Sequence, residues 1–414
     1  MLMINSMNKN ITPTKTKVIV VGGGFGGVRA AELLSKHETL EVTLISNTDS
    51  FSYYPQLYHA ATGGSRSEAA IPLKEVLEGS KVQLIVDTLT TLDAEKKTIT
   101  MVSGASYEYE QLVLATGSVT NYFGITGLVE NSFDIKTIEG SERFKRHLHD
   151  QLISADKPEL DYVVVGAGPT GIELASALGD YLHRIVKLHG IKHGSYTIDL
   201  IEAAPRIMPR SSERYARKIS ARLDKLGIKV LTNSVVQQQT ADELILKDSK
   251  IRTKTVVWTA GIANNPFFKA HNNIFTLSKI GKVEVDAHLE GAGDIYVIGD
   301  NAATQYSGMA QTAIIDADFV ARDMVAKLSG RNRRDYKPKL PASVVPVGGY
   351  WAAAQIGRIE IYGILGWMIR RIADLIAYSD IESKPKALAV WLKETVREDE
   401  CNICMPLSAV RVKA

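Results

Sequence analysis

The chain has 414 residues, 45% hydrophobic and 23% charged, the balance of a globular protein with two or three domains and substantial cores. A formal net charge of +3 is too small to argue for nucleic acid, and no Cys/His spacing resembles a zinc site. The charge is uneven: from Arg331 onward there are fourteen basic residues against nine acidic ones, which turns the tail toward an acidic partner or an anionic surface.

Residues 1–16 are polar and lack the apolar run of a signal peptide, so a disordered arm is expected. Lys17-Val18-Ile19-Val20-Val21 reads as a buried parallel strand, and Gly22-Gly23-Gly24-Phe25-Gly26-Gly27 follows it and opens a helical pattern. In this fingerprint Gly22 makes the tight turn, Gly24 lets backbone approach a pyrophosphate, and Gly27 lets helix pack on strand. The phosphate then meets the free amides and positive dipole of the helix start. The next strand, Val42-Thr43-Leu44-Ile45, runs into Ser46 and Asn47, where an acid would normally clamp the adenosine ribose. Ser46 supplies one hydrogen bond there, a weaker clamp than a carboxylate. The strand Gln111-Leu112-Val113-Leu114 and the turn Ala115-Thr116-Gly117 close this first unit, and a crossover with a charged helix around Glu139 to Ile153 follows.

Asp161-Tyr162-Val163-Val164-Val165 and Gly166-Ala167-Gly168-Pro169-Thr170-Gly171 repeat the strand and fingerprint, so the chain is expected to hold two dinucleotides. The strand from Tyr196 to Ile201 ends at Glu202, an acid that selects non-phosphorylated NAD over NADP, unless it is merely a solvated loop glutamate. Thr255-Val256-Val257-Trp258 with Thr259-Ala260-Gly261 repeats the closing strand and turn. A third such ending, Asp294 to Asp300, returns the chain to the first unit and makes the second an insertion. Helical periodicity from Met309 to Leu328 completes the body, and Arg331 to Pro341 is a basic, proline-bearing linker.

Both cysteines, Cys401 and Cys404, lie near the C-terminus, which points to a reducing compartment. Flavin-linked disulfide reductases relay electrons through a cysteine pair beside a dinucleotide, and neither fingerprint unit contains one. The terminal CxxC is half a zinc site at most and reads as incidental or dimer-bridging. Between Ile359 and Tyr378, Arg370, Arg371 and Asp374 interrupt the apolar run, which falls short of the roughly 20 residues needed to span a bilayer. As a helix, this stretch gathers Ile361, Ile364, Leu365, Met368, Ile369, Ile372, Leu375 and Ile376 on one face, with the charges largely opposite. Such a face suits a lipid interface, or else the protein's own core or a second subunit; Pro385 to Arg397 carries a weaker stripe.

Taken in order from Lys17 to Asp380, the two fingerprints, Tyr53-Tyr54-Pro55-Gln56-Leu57-Tyr58-His59-Ala60-Ala61-Thr62-Gly63, Ala115-Thr116-Gly117, Trp258-Thr259-Ala260-Gly261, Gly299-Asp300 and Ala310-Gln311-Thr312-Ala313 resemble the type II NADH:quinone oxidoreductases. The resemblance implies an α/β fold of two Rossmann-like domains plus an amphipathic helical membrane anchor. FAD would sit in residues 17–120 and 263–335, NADH in the inserted residues 121–262, and the anchor in residues 336–414. It implies hydride transfer from NADH to flavin and electron delivery to a membrane quinone without proton pumping, by a peripheral protein on the cytoplasmic side of the cell membrane, with a homodimer as a further expectation. Carried over by position, Gly22, Gly24, Phe25, Gly27, Ser46, Thr116, Gly117, Asp300, Ala310 and Gln311 would hold FAD. Gly166, Gly168, Pro169, Gly171, Glu173, Glu202 and Gly261 would hold NADH. Glu173 and Gln311 would serve catalysis, and Gln311, Ile314 and Ile315 would line the quinone site. Glu173 has a second reading, since Thr170-Gly171-Ile172-Glu173 also fits a capping box. The chain departs from the family at Ile315, where a second glutamine is usual, and at Ser46. Two other functions therefore stay open: a soluble NADH-dependent flavoprotein reductase of a small redox protein or other acceptor, and a non-catalytic flavoprotein that responds to NAD and binds a partner through its tail.

Overall fold

The computed structural model of the chain describes residues 15–151, 160–188 and 196–381. Most of the N-terminal arm, the segment Pro385 to Arg397 and both cysteines lie outside these residues. The apolar runs become strands buried at almost every position, Thr16–Val21 and Gln111–Leu114 in one sheet and Asp161–Val165 and Thr255–Trp258 in another. That continuous burial is the mark of parallel strands covered on both faces. Four helices frame the candidate sites: α1 (Phe25–Ser35), α2 (Pro169–Leu188), α3 (Ala310–Leu328) and α4 (Ile364–Ile381).

The chain divides into two units. Unit 1 runs to Asp49 and takes in Leu77–Gly117 and Asn264–Lys339. Its sheet has the order Glu290–Ala292, Ile295–Val297, Gln111–Leu114, Thr16–Val21, Leu40–Ser46, Gln83–Val86, parallel except for the first strand. Val18 pairs with Val42 on one side and Gln111 on the other, so the chain winds outward from Thr16–Val21 in both directions. The switch in direction opens a crevice at the carboxyl ends of these strands, where α1 begins. Ile19, Val21, Leu112, Leu114, Phe268 and Val297 belong to the core on one face of the sheet.

Unit 2 comprises Ser50–Val76, Ser118–Ala263 and the chain from Leu340. Its parallel sheet, in the order Lys229–Leu231, Thr197–Ile201, Asp161–Val165, Thr255–Trp258, repeats the winding of unit 1. The crossover helix spans Ile138–His149, with the Thr137 hydroxyl capping its first turn. An antiparallel sheet of Ser343–Pro346, Ala352–Ile356 and Ile359–Gly363 packs in the same unit. Tyr215 donates to the Ala353 carbonyl at 2.7 Å, and Arg222 donates to the Val347 and Gly348 carbonyls at 3.0 and 2.9 Å. Ile361, expected on the helical face, lies instead in the last of these strands, and α4 starts only after Gly363, whose φ of +77° turns the chain.

Candidate functional site

In unit 1, Gly22 has φ +123°, and a Cβ there would stand 2.1 Å from the Ala115 carbonyl oxygen; one on Gly27 would stand 1.8 Å from the Gly22 oxygen. Gly24 has nothing within 4 Å of its Cβ position, so the loop is closed beneath and open above. Unit 2 repeats this: Gly166 has φ +107° with Ala260 nitrogen 2.8 Å from its added Cβ, Gly171 is closed by Gly166 oxygen at 1.8 Å, and Gly168 is open. Thr259 pins the second loop, donating to the Val165 and Gly166 carbonyls at 2.8 and 3.1 Å. Two separate stretches of sequence thus build the same cradle, in which only the middle glycine faces outward. These loops fit a pyrophosphate. Helix α1 has Gly24 as its N-cap, with no side-chain cap and no acid in its first turn, and α3 likewise starts uncapped after Met309. By contrast, Thr137, Ser212 and Asn265 side chains cap three other helices. An uncapped helix start leaves its amides to an anionic or polar ligand.

The remaining residues expected at the first cradle meet at the same sheet edge. A Cβ on Gly26 would meet Ile298 and Ala313 at 3.2 and 3.3 Å, which puts the starts of α1 and α3 side by side, with Phe25 at the head of α1. Gly299, φ +67°, has Ala313 3.2 Å from its added Cβ and donates its N–H to the buried Asp316 carboxylate at 3.0 Å; Asp300 follows in the same turn. Asn301 is a component that sequence reasoning missed. Fully buried, it accepts from the Gly117 amide at 3.0 Å and the Thr116 hydroxyl at 3.2 Å, and donates to the Gly117 carbonyl at 2.7 Å. It therefore ties the Thr116-Gly117 turn to the Asp300 turn, and only its place after Gly299-Asp300 marks it in the sequence. Ser46 is 1% exposed and its hydroxyl accepts from the Thr48 amide at 3.3 Å, so Asn47 is the exposed side chain at the end of that strand. Ala310 and Gln311 begin α3, with Gln311 exposed, while Ile314 and Ile315 are half-buried along it.

At the second cradle Glu202 bridges the strand end to the loop, accepting from the Ala167 and Ala204 amides, each at 2.9 Å. Its carboxylate is thereby fixed beside the glycine loop. Gly261, φ +79°, is exposed in the turn that closes the unit.

The capping-box reading of Glu173 is overturned. Helix α2 begins at Pro169 and has no acid in its first turn; the Ile172 amide bonds the Gly168 carbonyl, so Thr170 already lies inside the helix. Glu173 instead faces Arg370 of α4, with Oε1 3.5 Å from Nη1 and side chains only 14% and 11% exposed. Arg370 also donates through Nε to Asp374 at 2.9 Å, through Nη2 to the Pro55 carbonyl at 3.0 Å and through Nη1 to the Val344 carbonyl at 3.3 Å. Tyr53 donates to Asp374 at 3.3 Å, which brings the Tyr53-to-Gly63 motif onto this cluster. Burial, opposed by Arg370 and aided by the negative Asp374, pushes the Glu173 carboxyl up to about 7. Glu173 is thus poised to gain and lose a proton near neutrality.

Helix α4 also revises the picture of the tail. Arg370, Arg371 and Asp374, expected largely opposite the apolar face, are buried, whereas Ile364, Leu365, Met368, Ile372 and Ile376 are 49–61% exposed. Gly366 makes this packing possible, since a Cβ there would stand 2.2 Å from the Ala352 carbonyl oxygen. Among the described residues no helix is long and apolar enough to cross a membrane, and no group of side chains could hold a metal ion.

A family model described as Pyridine nucleotide-disulphide oxidoreductase matches residues 16–317. Type II NADH:quinone oxidoreductase Ndh of Mycobacterium tuberculosis is 29% identical over 407 residues, covering 92% of this chain and 88% of that protein. The type II NADH:quinone oxidoreductase of Staphylococcus epidermidis is 26% identical over 384 residues, 87% of this chain and 94% of that one. The structure of NDH2 from Plasmodium falciparum in complex with NADH shares the fold, with a TM-score of 0.82 at 18% identity over 94% of this chain and 99% of that chain. The two cysteines of this chain lie beyond the matched residues 16–317, so the matched region has no thiol with which to reduce a disulphide.

Proposed function

The chain belongs to the pyridine nucleotide-disulphide oxidoreductase family, and on that premise we propose that it is a type II NADH:quinone oxidoreductase, which oxidises NADH through FAD and reduces a membrane quinone without pumping protons. The observation that carries this reading is the pair of matching glycine cradles, one in each unit, each closed under its first and third glycines and open over its second. The type II relatives, which align with about nine-tenths of the chain, support it. The absence of cysteine from residues 16–317 argues against a disulphide acceptor reduced through a thiol relay.

When bound, FAD would supply two-electron chemistry, taking a hydride from NADH and passing both electrons to quinone. The protein's own part is to bind, orient and handle a proton. Gly22, Gly24 and Gly27, with Phe25 beside them, would hold the FAD pyrophosphate, the strand end after buried Ser46, where Asn47 is the exposed side chain, would meet the ribose, and Thr116, Gly117 and Asp300 would hold the chain toward the flavin. Ala310 and Gln311 would present the uncapped amides of α3, whose partial positive charge favours electron-rich groups. Gly166, Gly168, Pro169 and Gly171 would hold NADH, with Glu202 on its ribose and Gly261 at the turn. Glu173 would hold and release the proton that quinone reduction consumes, and Gln311, Ile314 and Ile315 would border the quinone.

We assign the exposed stripe of α4 to the lipid surface on the cytoplasmic side. Burying five half-exposed apolar side chains, at about 1 kcal/mol each, is enough for reversible interfacial binding. A helix that hides three charged residues and shows its apolar stripe requires an apolar neighbour, and a membrane that holds the acceptor provides one.

The test is anaerobic stopped-flow of the yellow protein, mixed with NADH and then with a short-chain quinone while flavin absorbance is followed. Bleaching by NADH and recolouring by quinone are expected. Bleaching without recolouring would move the acceptor away from quinone and overturn that half of the reading.

A further inference from the structure

The basic linker after Arg331 has no place in the function above, yet it is firmly seated. In unit 1 it lines, together with the C-terminal half of α3, a cleft of about 750 Å3. The Tyr336 amide donates to the Ala287 carbonyl at 2.7 Å, and its hydroxyl donates to the buried Asp316 at 2.5 Å. Arg333 turns inward onto Asp323 and onto Glu290 at 2.6 Å. These bonds fix the segment at both Arg333 and Tyr336. One wall is then made by Ile315, Phe319 and Arg322, a single face of α3, and the Phe319 ring meets the Tyr336 ring edge-on at 5.2 Å.

Arg333 pairs with Asp323 and Glu290, and Lys327 shares Glu290. Arg322, Arg334, Lys337 and Lys339 form no ion pair with an acidic side chain among the described residues, although all four line the cleft. Five basic residues line it against two acidic ones, and one of those, Asp323, is already paired with Arg333; Asp335 is the other. Runs of basic residues are usually just solvated. Here, however, their backbone is pinned, they converge on one concavity of small-ligand size, and an apolar and aromatic wall stands beside them. Uncompensated cations around a cleft with a low-dielectric wall concentrate positive potential, which a phosphate relieves through charge-assisted bonds to arginine.

We infer that this cleft binds a phosphate-bearing ligand, its phosphate held by Arg322, Arg334 and Lys337 and its less polar part lying against Phe319 and Tyr336. The group recognised is a phosphate ester, carried either by a soluble molecule or by a lipid headgroup.

The test uses the FAD-loaded protein with saturating NAD, so that neither glycine cradle competes. Inorganic pyrophosphate is titrated calorimetrically, and in parallel the protein is floated with phosphatidylcholine vesicles with and without phosphatidic acid. The double variant R334A/K337A and, on the opposite wall, R322A are compared with the wild type after their melting temperatures and flavin contents are matched. Pyrophosphate binding weakened at least about tenfold in both variants supports a soluble phosphate ligand. A gain in flotation that depends on phosphatidic acid and vanishes in both variants supports a headgroup. Binding of neither probe by the wild type, or binding unchanged by the substitutions, overturns the inference.

Discussion

Glu173 and Asp374 share one guanidinium, that of Arg370, so ionising both leaves a buried excess of negative charge. The burden falls on Glu173, whose carboxyl is raised to about 7 by burial first and by Asp374 in addition. Its folded value lies above its ordinary one, so the folded state keeps the proton that the unfolded state loses. The associated stability is complete below about pH 4.5 and is lost as pH rises through about 7. Quinone turnover should accordingly show a transition near pH 7 that E173Q removes, and thermal melts of E173Q should lack the wild-type loss of stability between those limits. D374N takes away the neighbouring negative charge and should move the transition to lower pH; a transition unmoved in D374N and still present in E173Q would assign it to another group. Glu173 was legible in the sequence only through family resemblance, with a capping box competing on equal terms. Its partners were not legible, because Arg370 lies 197 positions away and no periodicity links it to α2. Asn301 was hidden for the same reason, since its bonds reach back to Thr116 and Gly117 across a parallel sheet.

Helix α4 shows what a helical wheel can and cannot tell. The stripe was legible because Ile364, Leu365, Met368, Ile372 and Ile376 recur at helical spacing; which side of the helix faces the protein was not. The usual rule, apolar side inward, would have buried the stripe. The opposite holds because Arg370 and Asp374 on the charged side find partners within their own unit: Glu173, the Pro55 and Val344 carbonyls and Tyr53. A buried guanidinium so satisfied is tolerated, whereas an unpaired one would cost several kcal/mol. Replacing Met368 and Ile372 with aspartate should therefore spare the fold, since both side chains point outward. Flotation with liposomes should fall at least about tenfold, the equivalent of roughly 1.4 kcal/mol, because two anionic groups replace two inserting side chains. NADH oxidation with a soluble dye should stay at the wild-type rate. Undiminished flotation would instead leave the stripe to another protein surface.

At the scale of the whole chain, the central feature is duplication: two sheets of the same winding, each ending in a glycine cradle of the same geometry, in separate units. This much was readable, because a buried strand followed by GxGxxG leaves a local signature. Less readable was the grouping of Ser50–Val76 with unit 2, which depends on contacts far from it in sequence, such as Tyr53 with Asp374 and the Pro55 carbonyl with Arg370. If the two cradles serve different dinucleotides, damage to them should be separable. A side chain on Gly27 or Gly171 would drive its Cβ to 1.8 Å from a backbone carbonyl oxygen, an overlap that only movement of the loop relieves. Strain of about 2 kcal/mol in the bound loop corresponds to roughly thirtyfold in affinity. G27V should purify with most of its flavin lost, as read from visible absorbance per polypeptide. G171V should keep its yellow colour yet bind NADH about thirtyfold more weakly, as read from the concentration dependence of flavin bleaching. Loss of flavin from G171V with retention by G27V would reverse the assignment of the cradles, and loss from both would mean that the loops stabilise the fold before they bind anything.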